Sequence, residues 1–283
     1  MLLLNASGCL DALTAPEVAR QLDGFVTKTV TPEPRQGNGP PRIAETDFGM
    51  LNAIGLANPG RERFSTDTLP ALRTLGVPLW VSVGGFSAPD YAETCVRLEN
   101  VVIELNLSCP NVDDAPESAA EIVAACRAAT SLPLYAKLSP AAWDLGEVAR
   151  AVEAAGADGL SLVNTMRGLT LDARLLPTLA RGAGGYSGPA LKPIALAAIY
   201  ACRRASQLPI VGMGGVQTGR DVLEFVACGA THVALGTVLF ADPDAPRRVR
   251  AELRGALDVA GLDRIEDAFC VAHENVAVLD NFA

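Results

Sequence analysis

Short apolar runs rich in β-branched residues alternate along the chain with longer, alanine-rich amphipathic stretches. The apolar runs predict eight strands, at residues 2–5, 24–27, 79–83, 101–105, 134–138, 159–163, 210–212 and 232–235. The amphipathic stretches predict eight helices, at residues 15–21, 65–74, 89–98, 118–130, 145–155, 191–205, 219–228 and 245–259. The runs show little alternation of polar and apolar residues, which is typical of parallel strands buried on both faces.

Eight strands that alternate with eight helices predict an α/β protein with the closed (β/α)₈ architecture of a TIM barrel. Barrels of this type usually need about 250 residues, so we expect residues 1–283 to form a single domain. Two long connections, at 29–64 and 164–190, follow strands and are expected as insertions at the rim. Barrel enzymes build their active sites from loops at this rim, so both connections are candidates for function.

Composition and charge exclude several classes of function. The net charge of −9 disfavours nucleic acid as a partner, because phosphate backbones require a basic surface. The chain contains no apolar window near the roughly 20 residues of a membrane span, and its start has no basic region typical of a signal peptide. Seven cysteines without a CxxC pair predict reduced thiols, no metal site and a cytoplasmic protein.

Glycine-rich turns follow the seventh and eighth predicted strands, in GMGGVQTGRDV and LGTVLF. Gly214, Gly215, Gly236 and Thr237 would bring backbone N–H groups close to a bound anion, and the loops after these two barrel strands often bind phosphate. Gly188, in GGYSGPALKP, lies ahead of another predicted helix and offers further donors. The alternative is that these glycines only form tight turns, but two such loops in successive units favour a phosphate site.

The fourth predicted strand leads into ELNLSCPNV, which places Asn106, Cys109 and Asn111 at the rim. A thiol at this position could remove a proton from a substrate C–H group, whereas an inert buried cysteine is the alternative. Amide side chains offer both donors and an acceptor, which suits a ring that carries C=O and N–H groups. Asn52 and Asn164 are on other predicted rim loops and could contact the same ring.

Two lysines, Lys28 and Lys137, stand at or near the ends of predicted strands. A lysine at the end of a barrel strand is costly unless it meets an anion, although one that extends its amine to solvent is the alternative. Reduced flavin carries negative charge along its N1–C2=O edge, so a lysine next to that edge would stabilise the reduced form.

These features together resemble the class 1 dihydroorotate dehydrogenases. The matching motifs cover nearly the whole chain and include TKTVTPEPRQGNGPPRIAET, GMLNAIGLANPG, ELNLSCPNV, KLSP, LVNT, GGYSGPALKP and GMGGVQTGRDV. The resemblance implies FMN-dependent oxidation of (S)-dihydroorotate to orotate in de novo pyrimidine biosynthesis. It implies that Cys109 removes the C5 proton while hydride passes from C6 to N5 of FMN.

The resemblance also assigns residues to the two ligands. The residues implied for dihydroorotate or orotate are Lys28, Asn52, Asn106, Asn111, Asn164 and Thr165. The residues implied for FMN are Ala6, Ser7, Lys28, Asn106, Lys137, Val163, Gly188, Gly214, Gly215, Gly236 and Thr237. Lys28 would lie between flavin and substrate, and Lys137 would lie at the pyrimidine edge of the flavin.

Subtype and partners follow from the same comparison of motifs. Membrane-bound class 2 enzymes use a serine base and have an N-terminal extension, whereas this chain has Cys109 and begins almost on its first strand. Within class 1, one subtype is a homodimer that reduces fumarate, and the other passes electrons to NAD through a subunit with FAD and an iron–sulfur cluster. GMLNAIGLANPG and NTMRGLTLD are closer to the NAD-linked subtype, although the segment after Val112 is shorter than its usual loop. We therefore expect a homodimer with such a partner subunit.

Two other functions remain open on sequence grounds. One is another FMN barrel that acts on a related pyrimidine, similar to dihydropyrimidine dehydrogenase, which would not select for a ring carboxylate. The other is a non-catalytic flavin subunit that relays electrons or serves as a scaffold. The intact set of Lys28, Asn106, Cys109 and Asn111 argues against a subunit without turnover.

Overall fold

Twelve strands form two separate sheets in the protein, whose structure is a computed structural model that describes residues 1–107 and 116–274. In chain order the strands are β1 (Leu3–Asn5), β2 (Phe25–Val26), β3 (Ile43–Thr46), β4 (Gly49–Asn52), β5 (Leu79–Val83), β6 (Val102–Asn106), β7 (Leu134–Leu138), β8 (Gly159–Leu162), β9 (Met166–Gly168), β10 (Gly184–Ser187), β11 (Ile210–Met213) and β12 (His232–Leu235).

Eight of these strands form the barrel, in the order β1-β12-β11-β8-β7-β6-β5-β2, and every neighbouring pair is parallel. A further parallel bridge between Leu4 and Gly24 joins β1 to β2, so that the sheet closes on itself. The predicted (β/α)₈ barrel is therefore confirmed. All eight predicted strands are present, and each of their ends lies within one residue of its predicted position.

Helices cover the outside of the barrel. They are α1 (Pro16–Ala19), α2 (Arg61–Arg63), α3 (Leu69–Arg73), α4 (Ala88–Cys95), α5 (Pro116–Ala129), α6 (Leu145–Ala154), α7 (Lys192–Ala205), α8 (Gly219–Ala227), α9 (Val238–Ala241), α10 (Ala245–Ala260) and α11 (Val271–Glu274). A π-helical turn at Phe64–Thr68 joins α2 to α3, and short 3₁₀ turns occupy Pro189–Leu191 and Ile265–Ala268. All eight predicted helices have a counterpart, whereas the sequence patterns do not predict α2, α9 or α11. Within the described part of the chain, no helix has the length and apolar character needed to cross a membrane.

The apolar core has two parts because the barrel strands have two faces. The larger part packs between barrel and helices and includes Ile103 and Leu105 of β6. The smaller part fills the inside of the barrel, and its buried members are Leu4, Val26, Trp80, Tyr135, Val211, Met213 and Ala234. Val102 of β6 packs against this inner cluster, so the two-residue period directs Glu104 and Asn106 into the barrel as well.

The second sheet is antiparallel, has the order β3-β4-β10-β9, and occupies the two long connections, for which the sequence predicts no strands. Its strands are short and rich in glycine, with sequences such as GMLN and GGYS, so no hydrophobic period identified them. The sheet forms because the two connections pair with each other, with Leu51 of β4 opposite Tyr186 of β10. It lies at the rim, because the connections leave the C-terminal ends of β2 and β8.

The seam between β1 and β2 is closed by a side chain. The carboxamide of Asn5, which is fully buried, donates to the backbone oxygen of Val26 and accepts from the N–H of the same residue, both at 2.8 Å. The amide therefore takes the place of a backbone partner at the point where the two strands are joined by the single Leu4–Gly24 bridge.

We predict that Asn5→Ala lowers the free energy of unfolding by about 2 to 4 kcal/mol, since both polar groups of Val26 lose their partner in a buried place. Urea denaturation followed by circular dichroism measures this. Gln207→Ala, at an exposed position, is the control and is expected to change stability by less than about 0.5 kcal/mol. Equal effects of the two substitutions would show that Asn5 does not close the barrel.

Candidate active site at the barrel mouth

A polar layer lies above the apolar interior of the barrel, towards the C-terminal ends of the strands. Its members are Ser82 of β5, Glu104 and Asn106 of β6, Lys137 of β7 and Ser161 of β8, and all five are buried. Strand pairing brings these positions together, because Ser82 is paired with Glu104 and Lys137 is paired with both Asn106 and Ser161. The hydroxyl of Ser161 is buried and has no hydrogen-bond partner within the described residues, which leaves it available to a ligand or a water.

Lys137 places a cation inside this layer. Its side chain is 5% exposed, and its Nζ donates to the hydroxyl of Ser7 at 2.8 Å. On the other side, Nζ lies 3.4 Å from Oε1 of Glu104, whose side chain is 1% exposed. Buried ionic groups persist only where they are paired in this way. Lys137 thus connects the ends of three barrel strands at one point.

Lys28 follows β2 and approaches the same region. A Cβ placed on Gly8 would lie 2.8 Å from Nζ of Lys28, which shows how closely the lysine packs against the turn after β1. Burial lowers the pKa of Lys28, the Lys137 charge lowers it further, and the Cys9 thiolate would oppose both. Burial raises the pKa of Cys9, against the effect of the two lysines, so Cys9 is a neutral thiol at physiological pH.

The two predicted rim asparagines, Asn106 and Asn164, are in direct contact. Asn164 donates from Nδ2 to Oδ1 of Asn106 at 3.0 Å, and Asn106 donates in turn to the hydroxyl of Thr29 at 3.2 Å. Thr165 donates its backbone N–H to Oδ1 of Asn164 at 2.8 Å. Tyr91 donates its hydroxyl to the backbone oxygen of Asn106 at 2.7 Å, which fixes the end of β6. The network orients two amides at the mouth, where each retains N–H or C=O capacity for a ring.

Asn52 reaches the same mouth from the second sheet. Its Nδ2 donates to the backbone oxygen of Gly185 at 3.2 Å across the β4–β10 pair. A Cβ on Gly185 would collide with the hydroxyl of Thr165, so Gly185 packs directly against that residue. The second sheet therefore brings Asn52 next to the Asn164–Thr165 segment, although 112 and 113 positions separate them along the chain.

Cys109 and Asn111 fall in residues 108–115, outside the described part of the chain. The structure does describe the strand that leads to them: Leu107, one residue past β6, donates its N–H to the backbone oxygen of Lys137 at 3.2 Å. The assignment of a base to Cys109 and of a ring contact to Asn111 therefore stays a prediction from sequence.

The glycine loops predicted to bind phosphate converge on one side of the mouth. A Cβ on Gly215, where φ is +82°, would lie 2.8 Å from the backbone oxygen of Gly188 and from the N–H nitrogen of Lys192, so the loops after β10 and β11 touch. Only glycine permits this approach. The N–H groups of four residues form no hydrogen bond within the described residues; they belong to Gly214, Gly215, Gly236 and Thr237. Such free donors suit an anion.

A buried carboxylate orders the loop after β11. Asp221 accepts hydrogen bonds from the N–H groups of Gln217 and Thr218, at 2.9 and 2.8 Å, and from Nζ of Lys192 at 2.6 Å. Burial alone would raise the pKa of Asp221, but these bonds outweigh burial and lower it. The carboxylate is therefore charged at neutral pH and holds the loop against α7.

The remaining predicted cofactor positions also lie at strand ends. Ala6 follows β1 and donates its N–H to the backbone oxygen of Leu235 at 2.7 Å. Val163 follows β8 and donates its N–H to the backbone oxygen of Met213 at 3.0 Å. Three residues at the mouth, Glu104, Thr29 and Cys9, are not predicted from the sequence. Glu104 had a detectable signal, since it is an acidic residue within the apolar run VVIELNL.

The chain matches the family model described as dihydroorotate dehydrogenase over residues 2–257. It is 44% identical over 259 residues to the dihydroorotate dehydrogenase B (NAD(+)) catalytic subunit of Listeria monocytogenes, with 87% of this chain and 85% of the relative covered. The subunit of the same description from Halalkalibacterium halodurans is 45% identical over 258 residues, with the same shares covered.

A solved structure supports the fold. The crystal structure of DHODH from Eimeria tenella in complex with ferulenol superposes with a TM-score of 0.82 at 23% sequence identity. The superposition covers 96% of this chain and 85% of the other.

We predict that Lys28 releases its proton at lower pH than Lys192, because burial and the Lys137 charge lower the pKa of Lys28, whereas carboxylate bonds raise that of Lys192. These three are the chain's only lysines, so NMR titration of biosynthetically ¹³C-labelled lysine resolves them, with Lys28→Arg for assignment. Lys137→Met should raise the pKa of Lys28. A Lys28 signal that titrates like a free lysine would contradict the proposed proximity.

Proposed function

The chain belongs to the dihydroorotate dehydrogenase family, and we propose that it oxidises (S)-dihydroorotate to orotate in de novo pyrimidine biosynthesis, with FMN as its bound cofactor. The observation that carries the proposal is the meeting of the Asn106–Asn164 amide pair with Lys137 in one barrel mouth. We infer that residues 1–283 act as one FMN-binding domain in the cytoplasm, where the free thiols of the described cysteines would stay reduced.

The donor set at the mouth fits FMN. The free N–H groups of Gly214, Gly215, Gly236 and Thr237, with the adjoining turn at Gly188, suit the phosphate. Ser7 and Lys137 suit the pyrimidine edge, and Ala6 and Val163 border the same space. When bound, FMN supplies a hydride acceptor. The cation of Lys137 is placed to stabilise negative charge on that edge.

We infer that the amides bind the substrate ring and that a separate base removes its proton. We assign Asn52, Asn106, Asn111, Asn164 and Thr165 to the ring and carboxylate of dihydroorotate, with Lys28 between substrate and cofactor. An amide pair that is already oriented loses little freedom when the ring binds. Cys109 takes the C5 proton as its thiolate, and the bound ring brings that C–H group next to the sulfur.

We infer that electrons leave through a second subunit that carries FAD and an iron–sulfur cluster and reduces NAD. The support is that relatives at 44–45% identity are named catalytic subunits of an NAD(+) enzyme. The cysteines of this chain have no CxxC spacing, so a cysteine-ligated cluster would belong to the partner.

We also infer a homodimer. The second sheet and the connection after β9 expose several large apolar side chains, among them Phe48 at 71% and Leu175 at 76%, together with Ile43 and Leu169. Phe48 and Leu169 line the same surface depression, and exposed apolar groups that lie together favour a protein partner. The mass of two chains in light scattering is the expected result, and the mass of one chain would contradict it.

We predict that Cys109→Ala retains FMN but slows dihydroorotate oxidation by about 100-fold or more, because the C5 proton loses its acceptor. Stopped-flow absorbance of the bound flavin measures the rate. Cys228→Ala, which removes a half-buried thiol at the end of α8, is the control and should leave the rate unchanged. A normal rate in Cys109→Ala would remove this thiol from the mechanism.

We predict that the chain alone oxidises dihydroorotate with an artificial electron acceptor but does not reduce NAD. Addition of the FAD and iron–sulfur subunit should enable NAD reduction, which is measured as the formation of NADH. Fumarate reduction by the chain alone would instead assign it to the homodimeric, fumarate-linked subtype.

A further inference from the structure

Among the described residues, Glu104 is the one carboxylate within salt-bridge distance of Lys137, and it is not among the residues proposed to contact the substrate or FMN. We propose that Glu104 is a positioning residue, which fixes the ammonium group of Lys137 at the pyrimidine edge of the cofactor site. The inference rests on the proposed function, since it concerns the FMN site of the same barrel. It deepens that function by naming the residue through which the protein sets the charge that the flavin meets.

The position and burial of Glu104 are explained by its contact with Lys137. Its position in β6 directs the side chain into the barrel, below the amide of Asn106 and beside Ser82 and Tyr135 in the paired strands. It is 1% exposed, so the carboxylate does not face bulk solvent. A buried carboxylate is costly without a cationic partner, and Lys137, at 3.4 Å, is that partner.

The number of donors on Lys137 points to a third contact. An ammonium group has three N–H bonds. Within the described residues, Ser7 and Glu104 accept two of them. One acceptor comes from β6 and the other from the turn after β1, which restricts the rotation of the ammonium group, and the third N–H is available to a ligand. Without Glu104, the long lysine side chain would be held by the Ser7 hydroxyl alone.

Charge around the site gives the same conclusion. Within the described residues, the titratable groups that interact with Lys137 are Glu104 and two from neighbouring loops, Lys28 and Cys9. Lys137 and Lys28 are close enough for one charge to oppose the other, and Cys9 is a neutral thiol. Glu104 therefore supplies the negative charge that faces the ammonium group of Lys137 beside a second lysine.

The first test uses the full-length chain and reads Lys137 directly. In ¹³C-lysine NMR, Glu104→Gln should shift the Lys137 side-chain signal and increase the mobility of that side chain, because the ammonium group loses its charged contact with Glu104. Glu147→Gln, which neutralises an exposed carboxylate at the start of α6, is the matched control and should leave Lys137 unchanged. An unchanged Lys137 in Glu104→Gln would overturn the inference and leave the proposed function intact.

The second test measures the midpoint potential of FMN bound to the wild type, Glu104→Gln, Lys137→Met and the double variant. Glu104→Gln should lower the potential by about 30 mV, which is a tenfold change in the two-electron equilibrium. In the Lys137→Met background the same substitution should not lower it. A rise in the Glu104→Gln potential, or equal shifts in both backgrounds, would overturn the inference, since Glu104 would then act without Lys137.

A second variant, Glu104→Asp, tests the inference if Glu104→Gln does not fold. Glu104→Asp keeps the charge but is one methylene shorter, so its carboxylate is drawn back from Nζ. A smaller fall in potential is then expected, and no fall would overturn the positioning role. If the chain takes up no FMN at all, the proposed function fails, while the lysine NMR signal still reports whether Glu104 positions Lys137.

Discussion

The buried ammonium group of Lys137 is the constraint on which the arrangement of the barrel mouth depends. A charge at 5% exposure is tolerated only if acceptors surround it, and none is adjacent along its own strand. The acceptors come from β6 through Glu104 and from the turn after β1 through Ser7. These segments meet only in a closed barrel. Lys137 can therefore contact both acceptors only if the sheet closes.

Closure of the barrel in turn depends on the join between β1 and β2. β2 has two residues and joins β1 by a single backbone bridge, with the Asn5 amide in place of further pairing. The second sheet then completes the rim from outside the barrel, because it packs Gly185 against Thr165 and carries Asn52 to the mouth. Groups from distant parts of the sequence thereby face one space, in which a planar ring can bind both amides and a cation.

The barrel was predictable because its strands are buried on both faces and therefore appear as apolar runs with clear ends. The second sheet was not, since GMLN and GGYS carry glycine and polar residues and are stabilised by each other rather than by a local pattern. Within the site, strand pairing and a hydrogen bond bring together Lys137, Asn106 and Asn164, which the motifs named, and their roles stay predictions. Glu104 was not predictable, because the reason for a charge inside an apolar run is a partner on another strand, and the sequence does not show which residue that partner is. Cys109 and Asn111 stay predictions.

We propose above all that this mouth holds FMN and that dihydroorotate reduces it there. Anaerobic titration of the yellow, FMN-loaded chain tests it most directly, with the visible absorbance of oxidised flavin as the signal. One equivalent of dihydroorotate per flavin should bleach the absorbance and release orotate, whereas dihydrouracil, which lacks the ring carboxylate, should not. A colourless chain that takes up no FMN, or bleaching by dihydrouracil but not by dihydroorotate, would contradict the account.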